Sequence, residues 1–397
     1  MQKLSYIKMK TNKKTCIETV VQFEHKIRPT VTKMLPNGMI TFLYSTARKY
    51  VISQFAKAKF NAIKIPDSAK VKLWDIDFNC GLFNAAGMFK DGEGYYGCAK
   101  MGAGAYIAGT TTYFPRSGNR KNFITHPFMP YPASHSSSNW MGLPNKGHEF
   151  VANELSKIQK IKNCPVGISV AESPEITDEM EKTKGVVEGF KMYEKAGVDF
   201  IELNNSCPNV PQNASSNVPK IIDNSASNLA PTTIKKLTYI SENFLQKRTR
   251  NIPVIVKYSN DFDADLLLEM VDLLIELGFD GINIGNTSTN YEHYLYSIIG
   301  DDKKLFRYFT TNFGGGLSGD ILKDRSLFLS RSVANHIKTK KLSKEFHCIR
   351  TGGVSSYNDI LASKESGILL NEWFSGFWDN FAKNSFETYR NIFANRD

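Results

Sequence analysis

The chain has 397 residues, of which 41% are hydrophobic, and its formal net charge is +11. This length is sufficient for one large core with room for an appendage, so we expect one catalytic domain preceded by an extension. The positive charge could indicate a nucleic-acid or anionic-membrane partner. However, the basic residues are dispersed, and they outnumber the acidic ones most clearly before residue 75. This distribution favours a solvated surface and predicts no nucleic-acid binding.

Cysteine usage and hydropathy indicate the compartment. The six cysteines, at positions 16, 80, 98, 164, 207 and 348, form no C-x-x-C pair. This spacing disfavours a zinc ribbon, an iron–sulfur cluster or a disulfide framework, so we expect a reducing compartment and no metal site. No apolar run reaches the roughly 18 residues that a membrane-spanning helix needs, and the start of the chain does not resemble a signal peptide. We therefore expect a cytoplasmic or peripheral membrane protein.

The segment comprising residues 39–60 could form a basic amphipathic helix. Its apolar side chains alternate with Arg48, Lys49, Lys57 and Lys59 at near-helical spacing. Such a helix can lie on a membrane surface, or it can cap the domain that follows, and the sequence favours the second alternative. We expect residues 1–72 to form a partly helical extension and residues 73–397 to form the catalytic domain.

From residue 79 onward, short apolar runs alternate with longer helical patterns. The predicted strands comprise residues 81–87, 105–111, 166–171, 200–204, 253–258, 281–285, 347–351 and 368–372. The predicted helices comprise residues 93–101, 148–161, 186–196, 232–246, 264–277, 326–338, 356–364 and 379–393. Eight strand-then-helix units without a large second domain predict an α/β fold, a closed (β/α)8 TIM barrel rather than an open doubly wound sheet.

Each predicted strand has, at its carboxyl end or directly after it, residues that could bind or transform a ligand. In chain order these are Lys90, Thr110, Ser169, Asn204 with Cys207, Lys257, Asn286, Gly352 with Gly353, and Phe374 with Ser375. The active site of such a barrel is built from the carboxyl ends of the strands and the loops that follow. A full ring of these residues therefore predicts a ligand at one mouth of the barrel.

Cys207 lies in the polar segment Asn204-Asn205-Ser206-Cys207-Pro208-Asn209, directly after an apolar run. A lone cysteine is usually a small hydrophobic residue of the core, but this polar surrounding is incompatible with core packing. The thiol is therefore the first candidate for a reactive group.

Two glycine-rich segments, residues 314–319 and 351–354, follow the sixth and seventh predicted strands. Glycines there let backbone N–H groups approach an anion, and the amino terminus of a helix adds a favourable dipole. A tight turn explains either segment equally well, but barrel proteins frequently bind a phosphate near strands seven and eight. The sequence lacks a Walker motif and a G-x-G-x-x-G turn opening a βαβ unit. We therefore expect a phosphorylated cofactor other than a nucleoside triphosphate or NAD.

Lysine and asparagine side chains complete the candidate site. Lys257 ends an apolar strand, where a lysine is costly unless it meets an anion or extends out of the barrel rim. The amides of Asn139, Asn204, Asn209 and Asn286 fall on different predicted loops. Amides both donate and accept hydrogen bonds, which suits the alternating C=O and N–H edges of a cyclic ureide.

From about residue 73 to residue 377, the order and spacing of these motifs resemble the dihydroorotate dehydrogenase family. The motifs are Ala85-Ala86-Gly87 with Lys90, residues 109–112, 139–145 and 202–211, Lys257, Asn286-Thr287, residues 315–319, Gly352-Gly353 and residues 375–377. The family oxidises (S)-dihydroorotate to orotate in de novo pyrimidine biosynthesis and uses FMN. The resemblance implies the same cofactor and the same small-molecule substrate here, and a homodimer is a further expectation.

The resemblance also implies residue roles. FMN would contact Ala86, Gly87, Lys90, Thr110, Ser169, Asn204, Lys257, Gly319, Gly352, Gly353, Phe374 and Ser375. The substrate would contact Lys90, Asn139, Met141, Gly142, Leu143, Asn204, Asn209, Asn286 and Thr287. Cys207 would be the general base that removes the C5 proton while hydride passes from C6 to flavin N5. Lys257 would be the second catalytic residue, stabilising the charge on the reduced flavin.

The motifs combine traits of two classes of this family. Cys207 and the block Met-Gly-Leu-Pro-Asn look like the soluble class 1 enzymes. Ala-Ala-Gly, Gly-Gly-Leu-Ser-Gly and the amino-terminal extension look like the membrane-associated, quinone-using class 2 enzymes. The electron acceptor therefore stays open between fumarate, a quinone and another oxidant, as does a peripheral membrane contact through residues 39–60. Glu372 in the last predicted strand is unusual: it would weaken flavin binding if it pointed toward a phosphate, and it would be harmless if it pointed outward.

Two alternative functions stay open on the sequence. A dihydropyrimidine dehydrogenase-like domain shares the flavin barrel and a ureide substrate, but the iron–sulfur and nucleotide domains of full reductase chains have no counterpart in this sequence. A degenerate barrel could instead bind flavin or pyrimidine without turnover, if the unusual last strand has lost the phosphate site.

Overall fold

The structure is a computed structural model that describes residues 15–205 and 229–394. Its first elements are two helices, α1 (Cys16–Met34) and α2 (Asn37–Lys57). α1 begins with a capping box in which the Thr15 hydroxyl and the Glu18 carboxylate each accept a hydrogen bond from the other residue's backbone N–H. The chain leaves the helical conformation at Leu35, because Pro36 disfavours helical backbone in the residue before it.

Most strands of the remaining chain are short, and those of the main sheet are buried along nearly their whole length. In chain order they are β1 (Val71–Leu73), β2 (Ile76–Phe78), β3 (Leu82–Asn84), β4 (Tyr106–Thr111), β5 (Arg120–Lys121), β6 (Ile124–Thr125), β7 (Phe128–Tyr131), β8 (Ser136–Asn139), β9 (Val166–Val170), β10 (Phe200–Asn204), β11 (Val254–Tyr258), β12 (Gly281–Ile284), β13 (Gly316–Gly319), β14 (His347–Thr351) and β15 (Leu370–Trp373). Burial on both faces is expected for parallel strands that helices cover from outside.

The helices alternate with these strands. They are α3 (Tyr95–Met101), α4 (His148–Ser156), α5 (Glu179–Ala196), α6 (Pro231–Ile240), α7 (Ala264–Glu276), α8 (Tyr291–Leu295), α9 (Asp302–Asn312), α10 (Lys323–Lys338), α11 (Tyr357–Glu365), α12 (Ser375–Asn384) and α13 (Thr388–Ala394). The single helix predicted over residues 379–393 is wrong. Ser385 has a φ of 55°, which is incompatible with a continuous α-helix, and it separates α12 from α13. The helix predicted from residue 148 also ends earlier than expected, at Ser156.

Eight strands form one parallel sheet in the order β3-β15-β14-β12-β11-β10-β9-β4. Hydrogen bonds between the regions of β3 and β4 close this sheet. The Gly104 N–H donates to the Leu82 carbonyl at 2.9 Å, and the Asn84 side-chain amide donates to the Ile107 carbonyl at 2.8 Å. Together with the alternating helices, this closure gives the (β/α)8 barrel that the sequence predicted.

The two ends of the barrel differ. At the amino-terminal end, the antiparallel β1–β2 hairpin packs Phe78 against Phe83 and Phe200, whose rings belong to the apolar barrel interior. Near the other end, β7, β8 and β13 form a three-stranded antiparallel sheet that the sequence did not predict. The hairpin covers the amino-terminal end, so a ligand must enter from the carboxyl end.

α2 packs onto the barrel through an aromatic cluster. Phe55 is fully buried, and its ring centroid lies 5.4 Å from that of Phe89, 5.9 Å from that of Phe377 and 5.6 Å from that of Phe381. Phe89 follows the first barrel strand, whereas the other two rings belong to α12. α2 therefore contacts both the segment after the first barrel strand and the helix after the last barrel strand.

The outward face of α2 has a different character. Met39, Phe42, Leu43 and Tyr50 are all exposed. Among the residues that the structure describes, no helix is both long and apolar enough to cross a membrane. Contact of this exposed face with a membrane surface stays a prediction.

Candidate active site

A cavity at the carboxyl ends of the barrel strands, here called the barrel cavity, encloses about 930 Å³ of empty space, including the part that opens to solvent. Most of the residues that the sequence predicted to form a site line it. They are Ala86, Gly87, Lys90, Thr110, Asn139, Met141, Leu143, Asn204, Lys257, Asn286, Thr287, Gly319, Gly352, Gly353, Phe374 and Ser375. A concave site with a few convergent polar groups is typical of small-molecule binding.

Of the predicted site residues that the structure describes, Ser169 and Gly142 do not line this wall. Ser169 lies one hydrogen bond behind it, with its hydroxyl 3.0 Å from that of Thr110. Gly142 does not line the cavity, and its carbonyl accepts a hydrogen bond from Arg116 instead. Cys207 and Asn209 lie outside the described residues.

A chain of hydrogen bonds orients the amides on one side of the barrel cavity. Asn286 donates from its side-chain nitrogen to the Asn204 amide oxygen at 3.1 Å, and Asn204 donates to the Thr110 hydroxyl at 3.0 Å. These residues come from different strand ends, so the barrel holds them together. The Thr287 hydroxyl oxygen is buried in the same wall, and it has no hydrogen-bond partner within residues 15–205 and 229–394. Such a group is costly unless a ligand satisfies it.

Another side of the cavity, here called the glycine–serine wall, is formed by Ser318, Gly319, Gly352, Gly353 and Ser375. Gly319, Gly352 and Gly353 have φ values of 108°, 128° and 69°, which residues other than glycine rarely adopt. The hydroxyls of Ser137, Ser318 and Ser375 lie 3.0–3.2 Å from one another and can each make further hydrogen bonds.

α12 begins beside these hydroxyls. It starts at Ser375, and none of the described side chains caps its amino terminus. Its first backbone N–H groups and its dipole therefore favour an anion there.

Lys257 lies inside the barrel between two carboxylates. Its ammonium donates to Glu372 at 2.6 Å and lies 3.3 Å from Glu202, and all three side chains are buried. Asn283 donates to Glu202 at 2.7 Å, and Thr351 donates to Glu372 at 3.1 Å. We call these five residues the barrel cluster.

The charges within the barrel cluster shift two pKa values. Burial alone would lower the pKa of Lys257, but the charges of Glu202 and Glu372 outweigh it and raise that pKa. Burial and the negative charge of Glu202 raise the pKa of Glu372 to about 7. Glu372 is fully buried and lines the barrel cavity, so it does not point outward, the harmless position that the sequence had left open. It pairs with the lysine that the sequence singled out.

A second cavity, here called the extension cavity, lies between α1, α2, β7 and α12, with about 1020 Å³ of empty space that includes open solvent. Val20, Val21, Val51, Phe128 and Tyr131 form much of its apolar lining. Phe374 and Ser375 line both cavities, so the two are adjacent.

Several polar groups of the extension cavity are paired with one another, whereas Nε of Arg48 and the hydroxyl of Tyr131 are buried in its lining without a hydrogen-bond partner among the described residues. Arg28 donates to Glu24 and to Asp379, each at 2.8 Å, and Tyr44 donates to Glu24 at 2.8 Å. This network ties α1 to α2 and to α12. It leaves the cavity with mainly apolar surface toward a ligand.

The sequence did not reveal the extension cavity or the barrel cluster. Both depend on contacts between segments that are distant in sequence, such as Arg28 with Asp379 and Lys257 with Glu372. One signal was available for the cluster: Glu202 and Glu372 each occur within an apolar run, where a charge requires a partner. The extension cavity had no such signal.

Comparison with known proteins agrees with this site. A family model described as dihydroorotate dehydrogenase matches residues 68–379. The dihydroorotate dehydrogenase (quinone) of Shewanella sediminis is 26% identical over 310 residues, which cover 78% of this chain and 82% of that protein. The protein of the same name from Christiangramia forsetii is 24% identical over 363 residues, covering 89% of this chain and 94% of its own.

A solved structure supports the fold independently. The ligand-free dihydroorotate dehydrogenase of Eimeria tenella aligns with a TM-score of 0.69 and 19% identity, covering 88% of this chain and 92% of that one. The family match spans all the barrel strands and the residues of the barrel cavity, and it supports the first of the three functions considered from the sequence. On this evidence the chain belongs to the dihydroorotate dehydrogenase family.

Proposed function

We propose that the barrel cavity binds FMN together with dihydroorotate, and that Cys207 takes the C5 proton of the substrate. Members of this family are oxidoreductases that oxidise dihydroorotate in pyrimidine biosynthesis. The observation that carries the proposal is the convergence of Lys257, the linked amides of Asn204 and Asn286, and the glycine–serine wall on one cavity.

The residues present fit FMN. The glycine–serine wall and the uncapped start of α12 supply N–H and O–H donors for a phosphate, around Gly319, Gly353 and Ser375. FMN supplies a hydride acceptor when bound. Lys257 holds a positive charge in the same cavity, which favours a ligand that becomes more negative during the reaction.

The remaining wall suits the substrate. Lys90 would pair with the substrate carboxylate, because it is a cation in the cavity wall. Asn139, Asn204 and Asn286 would bind the ring edge, since each amide can both donate and accept. The Thr287 hydroxyl, which has no hydrogen-bond partner among the described residues, would gain one in the ligand.

Cys207 is the proposed base for two reasons. It comes three residues after Asn204, whose amide lies in the cavity wall. Among the described residues no cysteine lines the barrel cavity: Cys80, Cys98, Cys164 and Cys348 are buried elsewhere, and Cys16 is exposed on α1. A thiol has an unperturbed pKa of about 8.5, so a nearby cation such as Lys90 would help to form the thiolate near neutral pH.

We further propose that a quinone accepts the electrons through the extension cavity. The relatives from Shewanella sediminis and Christiangramia forsetii carry quinone in their names. The extension cavity is lined largely by apolar side chains, as a hydrophobic acceptor requires, and it shares Phe374 and Ser375 with the barrel cavity.

A bulky side chain in the extension cavity should impair the reaction with a quinone and leave the reduction of the flavin by dihydroorotate unchanged. Ala47 on α2 lines this cavity, and Ala47→Trp should fill part of it. We expect the KM for a quinone to rise about tenfold, equivalent to about 1.4 kcal/mol of lost binding, with unchanged flavin reduction by dihydroorotate. Steady-state kinetics with decylubiquinone, combined with anaerobic stopped flow, measure the two effects. Thr46→Trp is the control, because the neighbouring exposed Thr46 does not line the cavity. Equal quinone KM values for both variants would contradict the proposed route.

The overall function is tested by anaerobic reduction of the purified protein. A yellow protein that bleaches on addition of dihydroorotate supports the assignment, and decylubiquinone, fumarate and NAD are then tried in parallel as oxidants. We expect decylubiquinone to restore the colour. Fumarate as the sole competent oxidant would contradict the quinone proposal, whereas a protein that takes up no FMN would contradict the whole assignment.

A further inference from the structure

The barrel cluster contains more acidic than basic groups. One ammonium, that of Lys257, faces the two carboxyl groups of Glu202 and Glu372. Among the described residues, these are the titratable groups that act on Glu372, and they come from β10 and β11, across the barrel from β15. The neighbouring Asn283 and Thr351 are neutral. The cluster therefore carries a net charge of −1 when both carboxyls are ionised, and it is neutral when one of them is protonated.

Two oxygen atoms in the cluster have no hydrogen-bond partner in the part of the chain that the structure describes. They are Oε1 of Glu202 and Oε1 of Glu372, and both are buried. An ionised carboxylate with an unsatisfied buried oxygen is costly, whereas a proton on that oxygen removes the charge. The geometry thus favours a proton within the cluster, and Glu372 is the group on which burial and a like charge act together.

The cluster is also in contact with the proposed ligand site. Lys257, Thr351 and Glu372 all line the barrel cavity. A charge added to a ligand there acts on the cluster at short range and in a region largely shielded from water, where electrostatic interactions are strong. Any change in ligand charge must therefore alter the proton affinity of Glu372.

We propose that Glu372 is a positioning residue that acts through Lys257 and binds one proton when the ligand in the barrel cavity gains a hydride. The inference rests on the proposed function, because it requires a redox ligand in this cavity. Hydride transfer brings two electrons and one negative charge to the ligand. Solvent supplies one proton, which forms an O–H bond at Oε1 of Glu372, so the cluster changes from a charge of −1 to neutral while no covalent bond of the protein breaks.

The pH dependence of the flavin midpoint potential tests this inference. In the wild-type protein, the extra proton should make the midpoint potential fall more steeply with pH, by about 30 mV more per pH unit above neutrality. This value follows because a tenfold change in a two-electron equilibrium constant corresponds to about 30 mV. Glu372→Gln keeps the shape of the side chain but cannot ionise, so this added slope should disappear. The two proteins should have similar potentials at acidic pH, where Glu372 is already neutral. At alkaline pH the variant should have the higher potential, by about 30 mV or more.

Glu365→Gln serves as the matched control. It removes the same formal charge from an exposed position at the end of α11, and its potential should follow that of the wild type. Parallel curves for wild type and Glu372→Gln over the whole pH range would overturn the inference without affecting the proposed function. A protein that binds no FMN would overturn both, since the inference requires that ligand.

Infrared difference spectroscopy provides a second test that needs no variant at position 372. Reduction of the wild-type holoprotein at alkaline pH should produce the carbonyl band of a newly protonated carboxylic acid. Labelling with ¹³C-glutamate should shift this band. If no glutamic acid band appears on reduction, the inference is wrong even if Glu372→Gln fails to fold.

Discussion

Replacing Cys207 by alanine should slow the reduction of bound flavin by dihydroorotate by about 10²–10⁴-fold, the usual contribution of a general base. The proton at C5 would then have no positioned acceptor. FMN should stay bound, because the residues proposed to hold it, such as Gly353 and Ser375, are unchanged. Anaerobic stopped flow at the flavin absorbance band measures the rate, and the absorbance spectrum of the purified variant measures the bound flavin.

Two companion variants make this result specific to the proposed base. Cys207→Ser should recover part of the rate only at high pH, since a hydroxyl is a much weaker acid than a thiol. Cys16→Ala removes an exposed thiol on α1 and should reduce flavin at the wild-type rate. A wild-type rate in Cys207→Ala would exclude Cys207 as the base, and another group would then have to take the proton.

Lys257→Met should lower the free energy of unfolding by about 3–5 kcal/mol at neutral pH, the range found when one partner of a buried ion pair is removed. Methionine can replace the volume of the lysine chain, but it leaves Glu202 and Glu372 without a counter-charge. Urea denaturation monitored by circular dichroism gives the difference. Lys191→Met is the control, since Lys191 is about half exposed and its loss should cost about 0.5 kcal/mol or less.

The decrease in the free energy of unfolding caused by Lys257→Met should grow as the pH rises. Without the ammonium, which lowers the pKa of Glu372, the folded-state pKa of this carboxyl rises further above that of the unfolded chain. An acid whose pKa is raised on folding destabilises the folded state as the pH rises above its unfolded pKa, and it has no such effect well below that value. The loss should therefore be smallest at acidic pH and fully developed above neutrality. The double variant with Glu372→Gln should recover part of the stability at neutral pH, and a pH-independent loss would contradict this electrostatic explanation.

The barrel could be predicted because its signals are local. Two predicted strands, Phe200–Asn204 and His347–Thr351, have the bounds that the structure shows, since short apolar runs between polar loops define them. The antiparallel sheet was missed for the opposite reason. Ser136–Asn139 is a run of small polar residues and Gly316–Gly319 is glycine-rich, so neither has a strand pattern before the two pair with each other.

The candidate site was only partly predictable. The ring of strand ends placed residues such as Lys90, Asn204 and Ser375 together, because the topology of a parallel barrel brings its strand ends to one side. The direction of Glu372 could not be derived in this way. Both faces of a barrel strand are buried, so alternation does not distinguish the interior from the helix-facing side, and the pairing with Lys257 joins segments 115 residues apart.

The docking of α1 onto α12 also has a consequence for protein synthesis. The ion pair between Arg28 and Asp379 joins residues 351 positions apart. At translation rates of about 5–20 residues per second, Asp379 is synthesised roughly 20–70 s after Arg28. The α12 rings that contact Phe55 of α2 are also synthesised long after Phe55. Until then, the nascent chain exposes the faces of α1 and α2 that later pack against α12. The synthesis of α12 thus determines when α1 and α2 can complete their docking.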